Sequence, residues 1–154
     1  MKLTQLYFEQ KIHTDIDTLW KFISSPKNLS KITPDYMKFE ILSSIKDQDM
    51  YEGMIISYNV QPILGIKMNW VTEITHIKEK EYFVDEQRSG PYNMWHHEHL
   101  IKETDDGVIM QDIISYIPPF SFFGLILNKI FIKKQIISIF EYRETVLNRL
   151  FNES

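Results

Sequence analysis

Histidines and carboxylates spaced two apart carry the chemistry that this sequence can offer. Between Tyr82 and Ile101 the chain holds Asp85, Gln87, Gly90-Pro91-Tyr92, Trp95, His96, His97 and His99. On a strand beginning at Asn93, alternation sorts Met94, His96, Glu98, Leu100 and Lys102 to one face and Trp95, His97, His99 and Ile101 to the other. Glu98 and Lys102 require water, so Trp95, His97 and His99 are expected to face inward. In the next strand Val108, Met110, Asp112, Ile114 and Tyr116 form the bulkier phase, which puts Asp112 inside as well. In the preceding strand the phase of Phe83, Asp85 and Gln87 competes with that of Tyr82, Val84 and Glu86, and periodicity alone does not decide between them.

Four kinds of chemistry fit these residues. A carboxylate in an apolar interior is costly unless it finds hydrogen-bond partners or a cation, so Asp85 and Asp112 should pair with His97, His99, Gln87 or Arg88. Such a group can hold the polar head of an otherwise greasy ligand, or it can be a satisfied network that only stiffens the sheet. A His-Asp pair can also keep a pKa near the operating pH, as acid-base catalysis needs. Finally, His97-x-His99 with Asp112 offers three ligands to zinc or iron. A His-x-His pair alone is common, so neither metal nor cofactor is expected. No Ser or Cys nucleophile signature accompanies the histidines, and catalysis ranks behind binding.

The elements that must position these residues follow from the hydrophobic period. Leu3, Leu6, Phe8 and Ile12 alternate with polar residues as a first strand. Thr14 is then read as the cap of a short helix with Asp17 at its third position; Ile16, Leu19, Trp20 and Ile23 lie on one face, and Ser25-Pro26 stops it. Pro26 opens a second short helix that ends before Thr33-Pro34. Six strands are expected next, at 36–44, 53–60, 65–77, 82–88, 93–102 and 108–117, separated by turn residues such as Pro62 with Gly65, Gly90-Pro91 and Asp105-Asp106-Gly107. With no helix between them they should pair as an antiparallel meander. In the strand 65–77, Ile66, Met68, Trp70, Thr72 and Ile74 are expected inward.

The chain closes with the only long helical pattern, 120–150, whose seam runs through Leu125, Ile132, Ile136, Ile139, Phe140, Val146, Leu147 and Leu150. Its first half is apolar over more than one stripe, since Ile126, Leu127, Ile130 and Phe131 lie beside the seam. Such width calls for two neighbours: a curved sheet on one flank, and a ligand, lid or second surface on the other. Deep burial of the whole helix is the alternative. Arg143 interrupts the seam, either pairing with Asp112 or Glu141 or, as is commoner, snorkelling outward. Phe120, Phe122 and Phe123 either plug the start of the helix or form a tip that touches lipid transiently.

Bulk properties narrow the function. A chain of 154 residues with 44% hydrophobic content suits one domain, 1–154. Its 17 Lys and Arg against 21 Asp and Glu give a net charge of -4, and no basic stripe is present, which argues against nucleic acid. The lack of cysteine removes disulfides and thiolate chemistry and suits a reducing, cytoplasmic setting. Pro118, Pro119, Gly124, Asn128 and Lys129 interrupt the nearest thing to a membrane span, so no transmembrane segment is expected.

The run Phe83-x-Asp85-x-Gln87-x-x-Gly90-Pro91-Tyr92-x-x-Trp95-x-His97-x-His99, with Gly107, Asp112, Tyr116-x-Pro118 and Phe140-x-Tyr142-Arg143, resembles the START-like, Bet v 1-like superfamily (SRPBCC). Within it the chain is similar to an uncharacterised bacterial branch grouped with polyketide cyclase and coenzyme Q-binding relatives. The resemblance spans essentially the whole chain. It implies an α+β helix-grip fold: a curved seven-stranded antiparallel sheet around a long C-terminal helix, with two short helices after the first strand. It also implies that Asp85, Gln87, His97, His99 and Asp112 lie on the inner surface. The expected function is binding or transport of a small hydrophobic ligand, whether lipid, polyketide or quinone-like. Trp70, Trp95, Tyr116, Ile132, Ile136 and Phe140 would form its wall, the five polar residues its anchor, and Tyr92 its edge. A cyclase or dehydratase using a His-Asp pair, and a regulatory protein-interaction domain, are the alternatives.

Overall fold

The computed structural model describes residues 2–44, 48–63, 65–119, 126 and 128–153. Strand β1 (Thr4–Ile12) leads into helix α1 (Ile16–Ile23) and two 3-10 turns, Pro26–Ile32 and Asp35–Met37. Strands β2 (Glu40–Ile41), β3 (Ile55–Ile63), β4 (Ile66–Lys78), β5 (Tyr82–Ser89), β6 (Met94–Thr104) and β7 (Gly107–Ile117) follow. The C-terminal helix is α2 (Lys133–Leu147), flanked by π-helical turns at Asn128–Ile132 and Asn148–Asn152.

All seven strands form one antiparallel sheet in the order β1-β7-β6-β5-β4-β3-β2. Consecutive strands from β3 to β7 are neighbours because short turns join them, β2 pairs with β3 across a longer connection, and β1 reaches across to β7. Register breaks fall between Val60 and Ile63 in β3, and between Val71 and Thr72 and between Ile74 and His76 in β4. Each break sharpens the local twist, so the sheet bends around α2 as the sequence pattern requires.

The helix lays Ile132, Ile136, Phe140 and Leu147 against the concave face, all of them buried. Its second apolar stripe is not covered: Ile126, Ile130 and Phe131 are exposed. Deep burial of the whole helix is therefore excluded, and Leu150, assigned to the seam from its spacing, is exposed too. The readings placed on Phe120, Phe122 and Phe123, and on Leu125 and Leu127, lie outside the described residues. Among the described residues no helix is long and apolar enough to cross a membrane.

Three local expectations are corrected. The α1 cap is Asp15, not Thr14: its carboxylate accepts from the Thr18 amide at 2.8 Å and from the Thr18 hydroxyl at 2.7 Å, satisfying a donor that the first helical turn leaves free. The strand foreseen at 36–44 shrinks to Glu40–Ile41, because a 3-10 turn takes Asp35–Met37 and Lys38 adopts a left-handed conformation. Ile66, expected inward, is exposed beside the β3-β4 turn.

Gly107 opens β7 at φ +139°, and a Cβ there would overlap the Ile12 carbonyl oxygen. Both the dihedral and the close approach of β1 demand a residue without a side chain. Gly107→Ala is expected to destabilise the fold by about 2 kcal/mol, read as a lowered urea midpoint with an unchanged m-value.

Two apolar clusters fill the space between sheet and helices. One gathers Ile12, Leu19, Ile23, Ile74, Phe83 and Leu147 near α1. The other gathers Trp70, Tyr92, Ile114, Tyr116, Ile136 and Phe140 towards the start of α2. The inward histidines lie at their join, where Phe83 stacks on His99 at 4.0 Å and the edge of Phe140 meets His97 at 5.4 Å.

Candidate functional site

Strand alternation on β6 turns His97 and His99 to the same face, one pleat apart, with ring centroids 3.6 Å from each other. Antiparallel pairing then brings a carboxylate up on either side. Asp85 on β5 is registered with His97, and Asp112 on β7 with His99. The result is a closed square. His97 Nε2 bonds Asp112 Oδ1 at 2.8 Å, and His99 Nδ1 reaches the same oxygen at 3.1 Å. On the opposite side, His99 Nε2 bonds Asp85 Oδ2 at 2.7 Å and His97 Nδ1 lies 3.4 Å from it. Arg143, from α2, places its guanidinium 3.9 Å from Asp112 and 4.5 Å from the centre of the Phe140 ring.

The four groups titrate as a unit. Burial and the neighbouring His99 push the His97 imidazole down to about 4, against the pull of the Asp112 hydrogen bond. His99 is equally buried, yet its hydrogen bonds to Asp112 and Asp85 outweigh that burial and raise it. Burial works against both carboxylates as well, but hydrogen bonds from the imidazoles hold Asp85 and Asp112 below the usual carboxylate range. The two imidazoles are thus driven apart, His97 toward the neutral form and His99 toward the cation. A cationic His99 together with Arg143 would offset the two carboxylates, which is how a buried cluster of this kind avoids a net charge.

This cluster borders a cavity of about 880 Å³ of atom-free space, counting its open mouth. Of the expected wall, Trp70, Trp95, Ile136 and Phe140 line the cavity, with Tyr92 at its side. Trp70 meets Trp95 edge-on at 5.2 Å and stacks on Tyr58 at 5.8 Å. Tyr116 and Ile132 are buried in the surrounding core and do not line it. Of the expected anchor, Asp85, His97 and His99 line the cavity, whereas Asp112 sits behind the two imidazoles. Gln87 is spent on the chain itself: its amide donates to the Tyr92 carbonyl at 2.6 Å and accepts from the Tyr92 amide at 3.2 Å, clamping the β5-β6 turn. Gly90 makes room for that clamp, since a Cβ there would come within 2.6 Å of Gln87 Oε1.

Of the two arginines considered from the sequence as partners of these acids, only one takes that part. Arg88 faces outward and pairs with Glu73, so it takes no part in neutralising the inner acids. Arg143 turns inward, its side chain 11% exposed, and lines the cavity. Tyr58, Thr72, Met37 and Phe39 complete the wall but carried no chemical signal of their own. The Tyr58 hydroxyl meets the Thr72 hydroxyl at 3.0 Å. The indole N–H of Trp70 and Nε of Arg143 are buried and meet no acceptor.

A curved antiparallel sheet gripping a C-terminal helix, with a chamber between them, is the Bet v 1-like fold. Solved structures share it over nearly the whole chain. Protein CV1439 from Chromobacterium violaceum is 11% identical, with a TM-score of 0.72 over 96% of each chain. Major latex-like protein 151 from Panax ginseng is 13% identical, with a TM-score of 0.69 over 97% of each chain. Ara h 8.0201 is 13% identical, with a TM-score of 0.59 over 95% of this chain and 98% of its own. No family model matches the sequence, and no curated protein does. At such identities the likeness establishes the fold alone.

Proposed function

We propose that the chain binds a small hydrophobic molecule in the chamber, with its apolar body against Tyr58, Trp70, Trp95 and Phe140 and its polar end at Asp85, His97 and His99. One observation carries the reading: the chamber is walled by aromatic and aliphatic side chains, and its polar groups converge at one place, the plan of a site that orients a greasy ligand by its head. A lipid, a polyketide or a quinone-like compound has that shape. The absence of cysteine fits a reducing compartment for this work.

Ile139 borders the chamber from α2, and a bulkier side chain there occupies ligand space. Titration with a nonpolar fluorescent probe such as N-phenylnaphthylamine is expected to saturate at one equivalent. Ile139→Trp should weaken binding at least about 30-fold, or roughly 2 kcal/mol, while unfolding stays cooperative. Equal binding by the variant, or none by the parent, would remove the reading.

Acid-base catalysis is the second reading, favoured by the way two adjacent imidazoles are driven in opposite directions from the ordinary histidine value. Under it, His97→Gln abolishes turnover of a polyketide-like substrate. Under simple binding the same change only weakens retention.

A further inference from the structure

The square of imidazoles and carboxylates has two unequal sides. On one, a single oxygen of Asp112 accepts from His97 Nε2 at 2.8 Å and from His99 Nδ1 at 3.1 Å, so each ring can spend its N–H there. On the other, one carboxylate oxygen of Asp85 lies 2.7 Å from His99 Nε2 and 3.4 Å from His97 Nδ1, and the three residues, all bordering the chamber, bring one potential ligand atom each within 4.8 Å of one another. In the metal-free protein the hydrogen bond between His99 Nε2 and Asp85 fills this side. With both N–H groups turned to Asp112 instead, it would present two imidazole lone pairs and an anionic oxygen, three acceptors that call for a cation between them.

We propose that Asp85, His97 and His99 form a binding site for a divalent first-row transition ion, with Asp112 as the carboxylate that fixes both histidine tautomers. Three features support it. The separations of 2.7 Å and 3.4 Å from the Asp85 oxygen to the two nitrogens are close to the roughly 3 to 3.5 Å between ligands that share one ion at about 2.1 Å. Histidine ligands ordinarily donate their other N–H to a carboxylate, and here one aspartate serves both rings. Two carboxylates also face a single guanidinium, that of Arg143, so the cluster keeps a net negative charge that attracts a cation when both rings are neutral. An ion would displace the proton that otherwise offsets it. The spacing of His97 and His99 suggested Asp112 as the third ligand; the fold gives that place to Asp85.

This inference deepens the proposed function, because an ion at the polar end of the chamber would take an oxygen of the bound molecule as a further ligand. Protein cleared of metal with a chelator should take up one equivalent of Co²⁺ with d–d absorption, and Zn²⁺ should displace it. His97→Gln, His99→Gln and Asp85→Asn are each expected to weaken Co²⁺ binding more than about tenfold, and Asp112→Asn by about 10- to 100-fold. His96→Gln is the control: that ring lies on the outer face against Glu86 and should leave affinity unchanged. X-ray absorption of the parent's Co²⁺ complex should show two imidazoles, a readout that does not depend on any variant folding. Failure of Co²⁺ to bind, loss of binding in His96→Gln alone, or a spectrum without paired imidazoles would overturn the proposal. The probe titration separates the two readings: if N-phenylnaphthylamine still fills the metal-free chamber and no ion binds, only the metal site falls.

Discussion

Asp112→Ala should cost about 3–5 kcal/mol of stability, the range measured when one partner of a buried ion pair is removed. The carboxylate is 8% exposed at its side chain and accepts from both inward imidazoles, while Arg143 stands 3.9 Å away. Without it, two ring N–H groups lose their acceptor and a largely buried guanidinium loses its nearest counter-charge. Urea denaturation followed by circular dichroism would measure the loss. The cause can be separated from mere cavity formation by a double-mutant cycle with Arg143→Met. If unpaired charge is the cause, Asp112→Ala should cost at least about 1 kcal/mol less in the Arg143→Met background. Equal costs in the two backgrounds would mean that Arg143 is not coupled to the cluster.

Alkaline titration should show that Tyr58 and Tyr92 refuse to ionise while the chain is folded. Burial, reinforced by the charge of Asp85, raises Tyr58 far above its ordinary value, and burial with the neighbouring Tyr116 raises Tyr92. A phenol is neutral while protonated, so a raised folded-state pKa gives stability that is fully present below pH 10 and lost as the pH climbs past it, because the unfolded chain ionises first. At about pH 11.5 each ring contributes a loss of about 2 kcal/mol, together about 4 kcal/mol. Tyrosinate absorbance should therefore rise in two stages, exposed rings first and the remainder only with unfolding. Tyr92→Phe should recover about 2 kcal/mol of the alkaline loss relative to its own stability at neutral pH. A single smooth rise with no unfolding step would contradict the burial of these rings.

The strands around the cluster were legible because charge and alternation agree there. Glu98 and Lys102 fix one face of β6, and with it the direction of Trp95, His97 and His99. On β5 alternation could not decide, and the fold shows why: Phe83 and Val84 are adjacent yet both buried, beside the register break at Ile74 and His76. A bulge spoils the two-residue period from which strand faces are read. Segment 36–44 misled because Tyr36 and Phe39 are strand-favouring types in a stretch that turns too tightly to pair. Arg143 stands between two readings for a different reason. Its helical position names the chamber side, but arginines at such positions usually reach water, and only the carboxylate brought from a strand thirty-odd residues earlier holds it in. Gln87 looked like an inward anchor, and its role as a turn clamp depends on a hydrogen bond to Tyr92 that composition cannot announce.

The pairing of β1 with β7 has its own implication for how the molecule is made. Thr4 lies opposite Tyr116 and Ile12 opposite Val108, so the first strand meets its neighbour in the sheet about a hundred residues downstream. The five strands from β3 to β7 can zip together through hairpins, but β1 has nothing to pair with until the last of them exists. That strand also anchors the terminal helix, through Gln10 to the Glu144 carbonyl and the Asn148 side chain. Acquisition of the native state is thus gated by an encounter between opposite ends of the polypeptide, a slow kind of search, and until it happens the aspartate behind the two histidines sits on an open sheet edge.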